Sequence, residues 1–147
     1  MTSREYPDSP RVGVGAVVLD GDRVLLVKRG GQPSQGKWSL PGGLVELGET
    51  TQEAARREVL EECGIRVRLA GVAGVLDRVI KDGAGRVRYH WVLVDYMAHP
   101  EAGAIRAGSD DADVRWVPVA EVARYDTTDG LVEMIERAVA LSRGGCG

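Results

Sequence analysis

Two rhythms of apolar and polar residues alternate along the chain. Residues 12–19 (VGVGAVVL) form a nearly unbroken apolar run, and Arg23–Arg29 (RVLLVKR) forms a second. Asp20-Gly21 between them is a tight-turn signal, so the pair predicts a β-hairpin. Residues 30–37 (GGQPSQGK) are turn formers throughout and predict a loop. A short strand is expected over 38–40, ended by Pro41-Gly42-Gly43. At Thr50 the period changes. Thr50 with Glu53 three residues on is a capping-box pattern. The stretch that follows, EAARREVLEEC, is rich in strong helix formers. Gly64 stands where a left-handed helix end belongs. This spacing predicts a helix over Thr51–Cys63, with Ala55, Val59 and Cys63 on its inward stripe.

Residues 65–80 read as strand broken near 71–74, 82–85 as a turn, and 86–97 as a long strand. Residues 98–112 read as a Gly- and Asp-rich loop, 114–117 as a short strand, and Pro118 as the first position of a brief helix. Leu131, Met134, Ile135, Ala138 and Ser142 share one face of a closing helix, with Thr127 or Thr128 as its cap. Strands outnumber helices, and a central helix interrupts them. That order predicts an α/β fold in which helices cover both faces of a mixed β-sheet.

Length and composition narrow this picture. With 147 residues, two independent cores would have about 70 residues each, near the lower limit for self-sufficient burial. One domain over 11–143 is expected, preceded by a loose, two-proline arm (1–10) and followed by a disordered tail (144–147). Phenylalanine is absent, so Val, Leu, Ile and Ala must build the core. No apolar run reaches the roughly 18 residues that span a bilayer, so no membrane partner is expected. Two cysteines, Cys63 and Cys146, make neither a disulfide framework nor a metal site, which suits a reducing, cytoplasmic setting. Cys63 lies on the helix stripe and reads as core; Cys146 shows no sign of function.

The net charge is −3 and the pI about 5.4, which argues against a nucleic-acid partner. The acidity is local. Residues 49–62 hold five Glu and two Arg, a balance of −3, and the rest of the chain is neutral. Within that stretch Glu58, Glu61 and Glu62 stand at i, i+3 and i+4, inside one arc of roughly 100°. Three carboxylates on one patch repel each other unless a cation neutralises them. With no Cys or His at hand, a hard divalent ion, Mg²⁺ or Mn²⁺, fits best, and Mg²⁺ commonly binds substrate phosphates as well. Glu pairs on helices are usually solvated surface. Two features argue otherwise here. Arg57 precedes Glu58 and can anchor a carboxylate, and Leu40-Pro41-Gly42-Gly43 lets backbone approach a ligand closely.

Gly43, Glu49 and the segment Arg57-Glu58-Val59-Leu60-Glu61-Glu62-Cys63-Gly64-Ile65 carry a resemblance to a known family. They match the Nudix box, G-x5-E-x7-R-E-U-x-E-E-x-G-U with U aliphatic, at every specified position. Such a match arises by chance at about 10⁻⁹ per start position. WSLPGG ahead of the box and RWVPVAEV near the end extend the likeness over most of the chain, which resembles a MutT-like bacterial Nudix hydrolase with an α/β/α sandwich fold. The resemblance implies metal-dependent hydrolysis of the pyrophosphate bond in a nucleoside diphosphate linked to another group. It implies Glu58, Glu61 and Glu62 as metal ligands, with the Gly42 carbonyl as a further one. Arg57 would orient Glu58 or Glu49, and Glu49 would support the site as a ligand or as an acceptor behind it. The general base is either a box glutamate such as Glu61 or an acid on the loop before the last strand. Asp110 or Asp111 would serve there as base or extra ligand.

Substrate contacts are expected from Arg29 at a strand end and from Trp38 before the Gly-rich turn, although Trp38 reads equally well as packing. Tyr89 or Trp91 is expected to line the pocket, and His90 to be structural. The LLVKR and KWSLPGGLVELGET segments resemble ADP-ribose pyrophosphatase-like members. The chain lacks the proline that marks one ADP-ribose class and the tyrosine of a dinucleoside-polyphosphate class. ADP-ribose or a nucleotide sugar, a (d)NTP-sanitising pyrophosphohydrolase, and a non-catalytic nucleotide-binding regulator therefore all stay open. Relatives are often dimers, and exposed strand edges would allow a homodimer.

Overall fold

Every second residue of the first apolar run has to be buried on a different side, and this makes β1 (Arg11–Asp20) the axis of the fold. The computed structural model describes residues 4–32 and 34–144. The start of the arm (1–3), Pro33 of the Gly-rich loop, and tail residues 145–147, Cys146 among them, lie outside the described residues. β1 pairs in parallel with β6 (Val87–Ala102), from Arg11 beside Trp91 to Val18 beside Ala98. β6 pairs antiparallel with β5 (Arg66–Lys81). On its other edge β1 is shared. Its last two residues pair with the start of β2 (Arg23–Arg29), and its first half pairs with β4 (Gly42–Leu44). β2 turns away to pair with β3 (Trp38–Ser39) and β7 (Asp111–Pro118). Where β1 and β2 part, the sheet opens into a cleft.

Alternation along β1 and β2 assigns the two faces. Val17, Leu19, Val24 and Leu26 pack with Leu131, Met134, Ile135 and Ala138 of the last helix, α2 (Leu131–Gly144). Ala16, Val18, Leu25 and Val27 pack with Val59 and Cys63 of the central helix, α1 (Thr51–Cys63). Val14 meets Ala54 and Ala55 of the same helix. The result is the expected α/β/α sandwich with a mixed sheet. α1 begins and ends as its sequence predicts. The Thr50 hydroxyl accepts the Glu53 N–H, the Glu53 carboxylate accepts the Thr50 N–H, and Gly64 is left-handed at φ 78°.

Several elements differ from the sequence reading. Gly42–Leu44, expected to end a strand, is itself a strand laid against β1. β5 runs unbroken through 71–74 because register shifts at Leu69/Gly71 and Val72/Gly74 absorb its glycines as bulges. β6 continues to Ala102, through Pro100. Its pairing with β1 stops at Ala98, and Pro100 lies opposite Val67 of β5. The expected loop over 98–112 is thereby shortened, and β7 starts at Asp111. Pro118 caps a 3₁₀ helix over Val119–Arg124 rather than occupying its first position. Ahead of α2, Thr128 gives its backbone carbonyl to the Leu131 N–H, and its own N–H goes to the Trp38 carbonyl.

The arm is tied down where it is described. The Tyr6 N–H donates to the Arg88 carbonyl (2.7 Å), its hydroxyl donates to Asp82 (2.9 Å), and Arg86 lies over its ring. No helix among the described residues is long and apolar enough to cross a membrane.

Gly42 shows how tightly β4 is fitted, because a Cβ there would run into the Val14 carbonyl oxygen. Gly42→Ala is expected to lower unfolding free energy by about 2 kcal/mol or more, in or above the usual overpacking range. Gly31→Ala, with nothing within 4 Å of its Cβ, is expected to stay within about 0.5 kcal/mol. Urea denaturation of the two variants checks both values.

Candidate active site

One face of α1 supplies the acidic side chains, and one arginine organises them. The Arg57 guanidinium grips Glu49 with two hydrogen bonds, Nε to Oε2 at 2.7 Å and Nη2 to Oε1 at 2.9 Å. Its Nη1 donates to Glu58 at 2.8 Å and to Glu61 at 3.3 Å. Nη2 also reaches the Leu44 carbonyl at 3.2 Å, which ties α1 to β4. A fork-shaped donor set suits this task better than a lysine point charge. The Arg57 hydrogen bonds and the Glu46 N–H hold the Glu49 carboxyl down at about 2. Glu49 therefore stands behind Arg57 as its strut, and the other side of the guanidinium steadies Glu58 and Glu61.

Glu62 is held differently. Its carboxylate accepts the Gly42 N–H at 2.9 Å, and burial pushes its carboxyl up to about 8. Burial likewise raises Glu58, against the pull of Arg57. Gly43 makes room for that carboxylate, since a Cβ there would stand 2.6 Å from it.

The chain after β6 brings in the remaining acids. The Arg106 N–H donates to the Cys63 carbonyl and the Gly108 N–H to the Glu62 carbonyl, so this loop is sewn onto the end of α1. It leads into Asp110 and Asp111. Asp111 lies opposite Arg29 in the β2–β7 ladder, and its Oδ2 is buried with no hydrogen-bond partner. Burial and the neighbouring Asp110 push the Asp111 carboxyl up to about 6. Gly42, Arg57, Glu58, Glu61, Glu62, Asp110, Asp111 and Arg29 all line one open cleft of about 1110 Å³.

These residues fit a hard divalent cation by the chemistry of their donors. The set is all oxygen, two glutamates and an aspartate are partly dehydrated against each other, and one buried oxygen has no donor. In this geometry Arg57 still engages Glu58 and Glu61. Among the described residues no three His, Cys, Asp or Glu converge on one point. Binding would require the carboxylates to swing from protein donors to the ion.

Two expected substrate contacts are not brought to the cleft. Trp38 is 7 % exposed and packs in the α2-side core, edge-on to Tyr125 and beneath Arg115. Tyr89 is 4 % exposed and sits edge-on to Trp91. Trp91, the alternative to Tyr89, does line the cleft, as does Arg29. Arg4, Arg78 and Asp95 also line it and were not picked out from sequence. A signal for Asp95 existed: a lone charge inside the apolar run WVLVDYM.

Known proteins resemble both the sequence and the fold. The chain is 34 % identical over 101 residues to an ADP-ribose pyrophosphatase of Methanocaldococcus jannaschii, covering 69 % of this chain and 57 % of that protein. It is 35 % identical to the putative 8-oxo-dGTP diphosphatase 2 of Mycobacterium tuberculosis, covering 79 % of each. The crystal structure of a MutT NUDIX hydrolase from Burkholderia pseudomallei superposes with a TM-score of 0.75 at 32 % identity, over 88 % of this chain and 98 % of that one. The chain spans 57 % and 64 % of the lengths of two curated relatives that it matches. The NUDIX domain model matches residues 9–138, the whole sheet, α1 and the first part of α2, and the chain belongs to that family.

Proposed function

We propose that the chain hydrolyses the pyrophosphate bond of a nucleoside diphosphate linked to another group, ADP-ribose or a nucleotide sugar, using Mg²⁺ or Mn²⁺. One observation carries the reading. Glu58, Glu62 and Asp111 are half-buried in a single cleft, dehydrated against each other, and Asp111 Oδ2 is without a donor. Acids arranged so stay together only by holding protons or by sharing a cation, and one cation would serve all three. A (d)NTP pyrophosphohydrolase is the second reading, favoured by the relative named as a putative 8-oxo-dGTP diphosphatase.

Glu58, Glu61, Glu62 and the Gly42 carbonyl would hold the ion, with Asp111 completing the set. When bound, a divalent ion polarises phosphoryl oxygens and lowers the pKa of a coordinated water. Arg57 and Glu49 are positioning residues, fixing where Glu58 and Glu61 stand. Arg29, half-buried beside Asp111, faces the anionic end of the substrate. Glu61 has the most water-exposed carboxylate of the trio, its side chain 59 % exposed, and is free to take a proton from an attacking water. Asp110 or Asp111 could do the same from the opposite side of the cleft.

Chelation with EDTA is expected to abolish turnover of ADP-ribose and of dNTPs, and added Mg²⁺ to restore it. Glu62→Gln keeps an acceptor for the Gly42 N–H and is expected to fold, yet to lose kcat by about 100-fold or more, beyond the effect of an outer partner. Steady-state kinetics with the circular dichroism spectrum checks this. Wild-type kcat in Glu62→Gln, or hydrolysis indifferent to EDTA, contradicts the reading.

A pH dependence follows from Glu62. Below about 8 its carboxyl holds a proton that a cation must displace. Mg²⁺ affinity, measured by calorimetric titration, is therefore expected to climb as pH rises from about 6 to about 8 and to level off above. A flat profile removes Glu62 from the ligand set.

A further inference from the structure

Residues 4–10 precede β1 and belong to neither the sheet nor a helix. Pro7 and Pro10 limit the shapes this arm can take. Arg4, near its start, nevertheless lines the cleft together with Glu58, Arg29 and Arg78. Its charge is felt there. Burial lowers the Arg29 guanidinium most, and Arg4 and Arg78 lower it further, against Glu62. Among the described residues no ion pair holds the Arg4 guanidinium itself.

The next two residues fasten the arm to the turn between β5 and β6. That turn is built around Asp82, whose Oδ1 accepts the Ala84 and Arg86 N–H groups, both at 2.9 Å. Its Oδ2 accepts the Tyr6 hydroxyl at 2.9 Å, and the Arg86 guanidinium lies 4.6 Å over the Tyr6 ring. The Tyr6 N–H donates to the Arg88 carbonyl at 2.7 Å, and Arg88 Nε donates to Glu5 at 3.1 Å. The chain bends over 4–6, and Tyr6 is left-handed at φ 51°. A bulky L residue keeps that conformation only where its surroundings fix it. These contacts are the surroundings that do so.

Charge gives the fastening a use. The α1 carboxylates repel an anionic substrate, and three guanidiniums on the same cleft attract it. Arg29 is held in β2 opposite Asp111. Arg78 is held in β5 and gives one N–H to the Asp129 carbonyl at 2.7 Å. Arg4 alone of the three comes from outside the sheet, so its place depends on the arm. A guanidinium fork matches two phosphoryl oxygens at once.

Resting on the function proposed above, we propose that the arm is a strap latched to the β5–β6 turn, and that it carries Arg4 into the cleft to bind the diphosphate of the substrate. Glu5, Tyr6 and Asp82 are positioning residues. None of them lines the cleft, and they act through Arg4. The group recognised is a pair of linked phosphates, which ADP-ribose, a nucleotide sugar and a nucleoside triphosphate all contain.

Two measurements test the strap. Calorimetry with α,β-methylene-ADP and Mg²⁺ reads binding without turnover, because the P–C–P bridge resists hydrolysis. Steady-state hydrolysis of ADP-ribose reads KM and kcat. Arg4→Gln is expected to weaken the analogue and raise KM by about tenfold, the scale of one charge-assisted hydrogen bond, with kcat within about twofold. Arg4→Lys keeps the charge without the fork and is expected to fall between. Tyr6→Phe removes only the hydroxyl on Asp82. It is expected to raise KM by about threefold in the wild-type background and to have no effect in the Arg4→Gln background. A merely structural role of Tyr6 gives the same effect in both. Absence of analogue binding by the wild-type protein, unchanged affinity and KM in Arg4→Gln, or equal effects of Tyr6→Phe in both backgrounds overturns the proposal. If Arg4→Gln weakens the analogue in a protein that hydrolyses neither ADP-ribose nor dNTPs with Mg²⁺, the strap stands and the catalytic reading fails.

Discussion

Arg57 determines whether the acidic face of α1 can exist as a folded surface. Glu58 and Glu61 share its Nη1, Glu49 takes the other edge of the guanidinium, and the Leu44 carbonyl takes a further proton. Carboxylates this close raise each other's energy, and partial burial strengthens the repulsion. One fixed cation at the back offsets enough of it for the helix to form and for its face to lie on β4. The compensation is incomplete by design of the geometry. Glu62 lies out of Arg57's hydrogen-bond reach and has one backbone N–H instead, and Asp111 Oδ2 has nothing. The open side, which faces the cleft, is where a second cation would complete the compensation.

The sheet puts this arrangement at the right place. β1 gives one edge to β6 along eight residues and divides the other between β4 and β2. The division opens the cleft, and β4 carries Gly42 and Gly43 to its rim. Neither position tolerates a side chain, one because of the Val14 carbonyl and the other because of the Glu58 carboxylate. Loop residues 106–108, hydrogen-bonded to the last carbonyls of α1, carry Asp111 to the far rim. Helix end, glycine strand and loop therefore depend on one another, and a shift in any of them moves the carboxylates.

Much of this was readable in the chain. The capping box, the helical stripe and the i, i+3, i+4 glutamates are local patterns, and local patterns survive into the fold. What escaped was non-local or balanced between two outcomes. β4 is three residues long with two glycines, so no propensity announces it; only its pairing with β1 makes it a strand. The glycines at 71 and 74 looked like a break because bulges are visible only against the partner strand. Trp38 beside a Gly-rich loop suited a ligand contact and a core position equally, and the core won through Tyr125 and the α2 layer. Tyr89 and Trp91 share one parity on β6 and touch edge-on, so the period of two could not choose between them; only Trp91 lines the cleft. That same parity brings Asp95 in with Trp91, a burial that an apolar run interrupted by one charge hinted at.

The cleft opens where β1 and β2 separate, with the acidic face of α1 on one side. Catalysis turns on the acidic side of the cleft. Anomalous diffraction from crystals of the wild-type protein soaked in Mn²⁺ measures it most directly. The expected result is an ion in the cleft held by Glu58, Glu61, Glu62 and the Gly42 carbonyl together with Asp111, with Arg57 still clasping Glu49 behind it. An ion bound elsewhere, or a cleft in which these carboxylates stay on Arg57 and Gly42 at saturating Mn²⁺, would contradict the account.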